Sequence, residues 1–193
     1  MTKAGRPRSE QAREAILNAT QALLKESQGA GLTIEAIARR AKVGKPTIYR
    51  WWPTLADVVL EALLCQADAN ITIPPFESLQ KTLRHILRLS VKAIADGAGV
   101  HLRFLMAQAQ QDEAFRERFR KNFTAKRRAV LKSIFMKAVE HGNIGPDQDL
   151  DMLTDVVFGV MWYRLLTGHA PMDETFADKV TGMVMKMVQP LRA

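Results

Sequence analysis

Leu32 to Leu63 reads LTIEAIARRAKVGKPTIYRWWPTLADVVLEAL, and the reading of this stretch decides the fold. Thr33 stands where a helix N-cap is needed, because its hydroxyl can accept one of the backbone N–H groups that a first turn leaves unpaired. Ile34, Ile37 and Ala38 follow at helical spacing, so a short helix to Arg40 has one face to bury. Ala41, Lys42, Val43 and Gly44 then make a turn. Lys45, Pro46 and Thr47 open another short helix, with Pro46 near its start, where a missing N–H costs little. That helix runs to about Trp51. Two short helices joined by such a turn form a helix-turn-helix, which places its second helix in the major groove of DNA. Lys45, Thr47, Tyr49, Arg50 and Trp51 supply donors, cations and flat aromatic surface on this element. An arginine can bond guanine bidentately, whereas lysines and hydroxyls are better at holding phosphates. Ile48 and Trp52 fall on the opposite face, within reach of Ile37 and Val43.

Outward from this stretch every periodic segment reads as helix. Upstream, Ser9 is placed to cap a helix whose apolar set is Ile16, Leu17, Leu23 and Leu24. Downstream, a helix from Thr54 to Ala69 ends before Ile71 to Pro75, where two prolines predict a hinge. Further helices are expected over 76–96, 100–110, 112–140, 149–167 and 173–188. The fold class expected is therefore all-α, of about nine helices: residues 1–53 as a DNA-binding domain, 54–75 as a connecting helix and hinge, and 76–193 as a larger helical bundle. Lys81, Arg84, Arg88 and Lys92 share one helix face and read as a solvated stripe.

Composition agrees with this organisation and excludes other classes. Of 193 residues, 47% are hydrophobic and 25% charged, the balance of a soluble globular protein. The longest apolar run, Val156 to Tyr163, is far shorter than the about 18 residues a membrane-spanning helix needs. The first twenty residues carry charges throughout, so no secretory signal is expected. A single cysteine, Cys65, excludes an internal disulfide framework and makes the cytoplasm the expected compartment. Cys65 itself reads as a small buried or half-buried helix residue. The net charge of +8 favours a polyanionic partner. Residues 1–60 carry +5 and the remaining 133 only +3, so the contact is expected in the first third. Lys3, Arg6 and Arg8 leave two readings open, an arm that follows DNA or a solubilising tail.

The same stretch resembles the tetracycline-repressor-like (TetR) family of bacterial transcription regulators. The shared pattern is the Leu-Thr start, a helix containing Ile37-Ala38, the turn, the Thr47-Ile48-Tyr49 signature, an aromatic, Pro53 and a following apolar helix. The resemblance implies an all-α homodimer with an N-terminal DNA-binding domain and a larger ligand-binding, dimerising domain. It implies that Thr33 and Tyr49 contact phosphates, that Lys45, Pro46 and Thr47 begin the reading helix, and that Arg50 and Trp51 occupy variable positions that often touch DNA. Three departures stand out. Lys42 occupies a turn position usually held by glycine, Gly44 one often held by serine, and Leu55 one where a phosphate-gripping lysine is common.

The implied function is a sequence-specific transcriptional repressor, released from an inverted-repeat operator on double-stranded DNA by an unknown small-molecule effector. The alternative is a non-sequence-specific architectural DNA-binding protein. The effector site needs a mostly apolar cavity with a few polar groups; its candidates are His101, Phe104, Leu105, Phe123, Phe158, Met161 and Trp162, each of which also suits an ordinary core. The expected dimer seam comes from the last two helices: Leu153, Val156, Val160, Val180, Val184 and Met187, with Gly159 permitting close approach. No catalytic, metal or cofactor motif is present: the four histidines lack ligand spacing, and Asp147, Asp149 and Asp151 lack the glycine and closing glutamate of a calcium loop. These aspartates are expected to charge the N-terminus of the next helix.

Overall fold

The computed structural model describes residues 6–27, 31–68 and 74–188. Among them are ten α-helices, two π-helical turns and no strand. In chain order the helices are α1 (Arg6–Ser27), α2 (Ile34–Ala41), α3 (Lys45–Tyr49), α4 (Leu55–Asp68), α5 (Leu79–Ala93), α6 (Gly99–Gln111), α7 (Glu113–Phe119), α8 (Ala125–Glu140), α9 (Leu150–Thr167) and α10 (Glu174–Met187). The π-helical turns are Ile94–Ala98 and Arg120–Thr124. The all-α architecture is as the sequence predicts. The chain divides into two units, Met1–Asn70 with Val100–Phe119, and Ile71–Gly99 with Arg120–Ala193.

In the first unit the core joins α1, α2, α3 and α4 through Ile16, Leu17, Ile34, Ile37, Ile48, Trp52, Val58 and Ala62. Ile48 and Trp52 pack with Ile37, and Val43 lies against the same cluster, as the periodicity predicts. The start of α4 is a reciprocal cap. Thr54 Oγ1 accepts the Asp57 N–H at 3.3 Å, while Asp57 Oδ2 accepts the Thr54 N–H at 3.1 Å. Asp57, only 8% exposed, also accepts two hydrogen bonds from the Arg118 guanidinium, at 2.7 and 3.1 Å. A carboxylate this buried needs such a partner, and the pair ties α7 to the first turn of α4.

In the second unit α5 and α10 pack along their length, with α8 and α9 completing a core around Leu83, Leu87, Phe135, Val157, Phe176 and Val184. Asp149 caps α9 by accepting the Met152 N–H at 2.9 Å, and Asp173 caps α10 by accepting the Phe176 N–H at 2.8 Å. Gly97 sits at φ 123°, a region closed to side chains with a β-carbon, and it bends the chain between α5 and α6.

Five expectations are corrected. Helix α1 starts at Arg6, with Pro7 in its first turn, so Ser9 is helical and is not the cap. The segment expected as one helix over 112–140 is helical from 113 to 140 but carries the π-helical turn 120–124 between α7 and α8, and Asp112 caps α7 by accepting the Phe115 N–H at 3.0 Å. The basic stripe of α5 is not simply solvated. Arg88 makes a bidentate pair with Asp178 of α10, at 2.9 and 2.7 Å, and Arg84 lies 3.5 Å from the same carboxylate. Cys65 is exposed. Leu153, Val180 and Val184 face their own core and cannot form a seam with a second copy. The side chains of Lys3, Arg6 and Arg8 and the hinge residues Ile71–Ile73 lie outside the described residues.

Candidate nucleic-acid interface

Helix α2 begins as its sequence dictates: the Thr33 hydroxyl accepts the Ala36 N–H at 3.1 Å. It ends in a double closure, with Val43 N–H on the Ala38 carbonyl at 3.0 Å and Lys42 N–H on the Arg39 carbonyl at 3.3 Å. This closure requires a left-handed residue between the helix and the chain that follows, a place that usually belongs to glycine. Here Lys42 takes it, at φ 55° and ψ 42°. The β-carbon costs about 1 kcal/mol in that conformation. Gly44 then caps α3 without a side chain, with Pro46 in the first turn.

The residues of α3 and its exit divide into two faces. Ile48 is fully buried and Trp52 is 3% exposed. Lys45, Pro46, Arg50, Tyr49 and Trp51 are exposed, Tyr49 by 52%, and Thr47 is half-buried. The helix itself closes at Tyr49, and Arg50 and Trp51 continue in a turn that still donates back to Pro46 and Ile48, at 3.1 and 2.9 Å. Thus the predicted set Lys45, Pro46, Thr47, Tyr49, Arg50 and Trp51 comes together on one short element. Thr33 stands at the start of the preceding helix.

The element is braced from below. The indole N–H of Trp52 donates to Glu61 Oε2 at 2.6 Å, and Glu61 is also paired with Arg13. The Arg13 guanidinium carbon lies 5.9 Å from the Trp51 ring centre. Lys45 is bound to Glu35 at 2.8 Å, and this hydrogen bond raises the pKa of the ammonium and lowers that of the carboxyl. Arg40 is held by Glu26. Leu55, at the position where a phosphate-gripping lysine is common, packs against the core.

The seven effector candidates fall in both units. His101, Phe104 and Leu105 belong to the first unit; Phe123, Phe158, Met161 and Trp162 belong to the second. His101 is 2% exposed, its Nδ1 has no hydrogen-bond partner, and burial pushes the imidazole down to about 4, so the ring is neutral at physiological pH. Leu105 is fully buried, and Met161 joins the core of the second unit. Phe123, Phe158 and Trp162 line a cavity of about 290 Å³ together with Thr124, Arg127, Arg128, Asp155 and Gly159. The periodicity did not reveal Arg127, Arg128 or Asp155 as lining residues, because the Arg128–Asp155 pair joins two different helices.

Residues 16–62 match the family described as bacterial regulatory proteins, tetR family, and residues 73–184 match the tetracyclin repressor-like C-terminal domain. An uncharacterized HTH-type transcriptional regulator of Bacillus subtilis, YdeS, is 31% identical over 193 residues, covering 100% of this chain and 97% of that protein. Among solved structures, the TetR family transcription regulator SCO0332 superposes with a TM-score of 0.77 at 29% identity, over 93% of this chain and 99% of that one. The regulator FadR from Bacillus subtilis, in complex with stearoyl-CoA, shares the fold at 13% identity, with a TM-score of 0.67 over 93% and 99% of the two chains.

Proposed function

The chain belongs to the TetR family of bacterial helix-turn-helix regulators, and from that membership we propose a cytoplasmic, dimeric repressor that a small molecule releases from an inverted-repeat operator. The observation that carries the DNA-binding half is the reading element: Lys45 to Trp51 exposes cations, donors and aromatic rings over a rigid core, on a helix capped at the correct spacing. Residues 1–53 read DNA, 54–75 connect, and 76–193 bind the effector and the second copy. Thr33, Tyr49 and Thr47 hold phosphates, while Arg50 reads base edges. No helix among the described residues is long and apolar enough to cross a membrane.

The two roles predict different variant behaviour. Tyr49→Phe should weaken binding to every duplex alike, whereas Arg50→Ala should cost about 1–3 kcal/mol on the selected operator and relax its sequence preference at one position of each half-site. Parallel anisotropy titrations on the selected operator and on a scrambled duplex distinguish them. An Arg50→Ala protein with unchanged sequence preference would remove the base-reading role.

The effector is assigned to the cavity lined by Phe123, Phe158 and Trp162. Its rings offer stacking surface, and the two arginines in its lining outnumber the one aspartate, so a small aromatic compound with an anionic group fits it best. Its volume lies at the lower end of ligand sites, which favours such a compound over a long-chain acyl thioester. His101, with its unpaired buried nitrogen, is kept as a second polar candidate, and Leu105 and Met161 are assigned to packing. Titration with a series of aromatic carboxylates, beginning with 2-naphthoate, should quench Trp162 fluorescence and displace labelled operator, and Trp162→Ala should abolish the quench. A series without any binder removes this assignment and leaves the DNA reading intact.

A further inference from the structure

Lys42 is the only non-glycine residue at positive φ among the described residues. A glycine would close α2 through the same two backbone hydrogen bonds and without strain, so the helix end gains nothing from the lysine. Its side chain is exposed and has no hydrogen-bond or ion-pair partner among the described residues. A strained residue whose side chain does nothing for the folded chain points to a task outside it.

The charges around it narrow that task. In the helix-turn-helix, Lys45 is bound to Glu35 and Arg40 to Glu26, while the half-buried Leu55 packs against the core. The uncommitted cations of this motif are Arg39, Lys42 and Arg50. Lys42 precedes the reading helix and Arg50 follows it, so the two stand at its opposite ends. A lysine on a flexible stem suits a phosphate better than a base edge.

We propose that Lys42 is a phosphate anchor of the DNA complex, supplying the cationic grip that Lys45, held by Glu35, and Leu55 do not. The proposal rests on the reading of α3 as the groove-binding helix. It differs from a tolerated substitution in one respect: relieving the strain improves the fold and harms the binding.

The test measures thermal unfolding and anisotropy binding for Lys42→Gly, Lys42→Asn and Lys42→Arg, on the operator duplex and on a mixed-sequence duplex, across a series of salt concentrations. Lys42→Gly should raise the thermal midpoint yet weaken binding roughly tenfold at low salt on both duplexes, with the salt slope flatter by about one per bound protomer. Lys42→Asn, neutral but tolerant of the left-handed region, should bind as weakly as Lys42→Gly, and Lys42→Arg should retain wild-type binding. Glycine and asparagine variants with wild-type affinity and slope would overturn the proposal. A wild-type chain that binds neither duplex at any salt concentration would instead remove the DNA-binding reading beneath it, so the two failures are distinguishable.

Discussion

Trp52→Ala is expected to cost about 3–5 kcal/mol and to lower the thermal midpoint by roughly 10 °C, with loss of DNA binding. Trp52 is 3% exposed in the core that joins α1, α2, α3 and α4, and its indole N–H is held by Glu61 at 2.6 Å. Truncation leaves a cavity beneath the reading helix and frees an acceptor that the Arg13–Glu61 pair alone must then satisfy. Its neighbour gives the control. Trp51 is 38% exposed and stacks loosely under Arg13, so Trp51→Ala should melt near wild type while binding operator more weakly. Circular dichroism melts of both variants, beside operator titrations, check the pair. Equal melting of the two alanine variants would contradict the assignment of one tryptophan to the core and the other to the DNA face.

Paired replacement of Tyr163 and Met183 by glutamate is expected to abolish dimerisation and to weaken operator binding by a hundredfold or more, because two linked reading heads gain that much over one. The exposed large apolar side chains of the last two helices are Met152, Tyr163 and Leu166 on α9 and Met183 and Met187 on α10, with Tyr163 64% and Met183 51% exposed. On α9, Met152, Val156, Gly159, Tyr163 and Leu166 follow helical spacing along one face, and Gly159 leaves room for close approach of a second helix. Charges placed there leave the monomer core untouched. Sedimentation should show wild-type dimers and variant monomers at micromolar concentration, both with native helix content. A wild-type monomer at that concentration would remove the seam from α9 and α10.

The reading element was legible because its determinants are local. Thr33, Gly44, Pro46 and the buried pair Ile48 and Trp52 act within a few residues of one another, and each sits in the structure where its own chemistry puts it. The starts of α9 and α10, expected at 149 and 173, were legible for the same reason, and the structure adds that Asp149 and Asp173 cap them. What the sequence left open is longer in range. Helical periodicity tells which residues share a face but not which neighbour covers it, so Leu153, Val180 and Val184 read as seam until α5 and α10 are seen packed together. Arg88 and Asp178 lie ninety positions apart, and nothing near either announces the pair. The cavity is of the same kind: its aromatic residues are visible in the sequence, while the arginines and aspartate beside them are brought there by the packing of α8 on α9. Lys42 is intermediate, since its place in the turn was legible while the commitment of Lys45 to Glu35 was not.

Two copies of this chain are expected to read a specific duplex sequence through Lys45 to Trp51. Selection of binding sequences from a random duplex library by the purified protein, repeated at higher salt, tests this most directly. The expected result is an enriched inverted repeat whose half-sites lie about 34 Å apart, one helical turn, and whose enrichment survives the added salt. Binding that collapses with salt and enriches no sequence would contradict it, and would assign the basic surface to sequence-independent DNA binding.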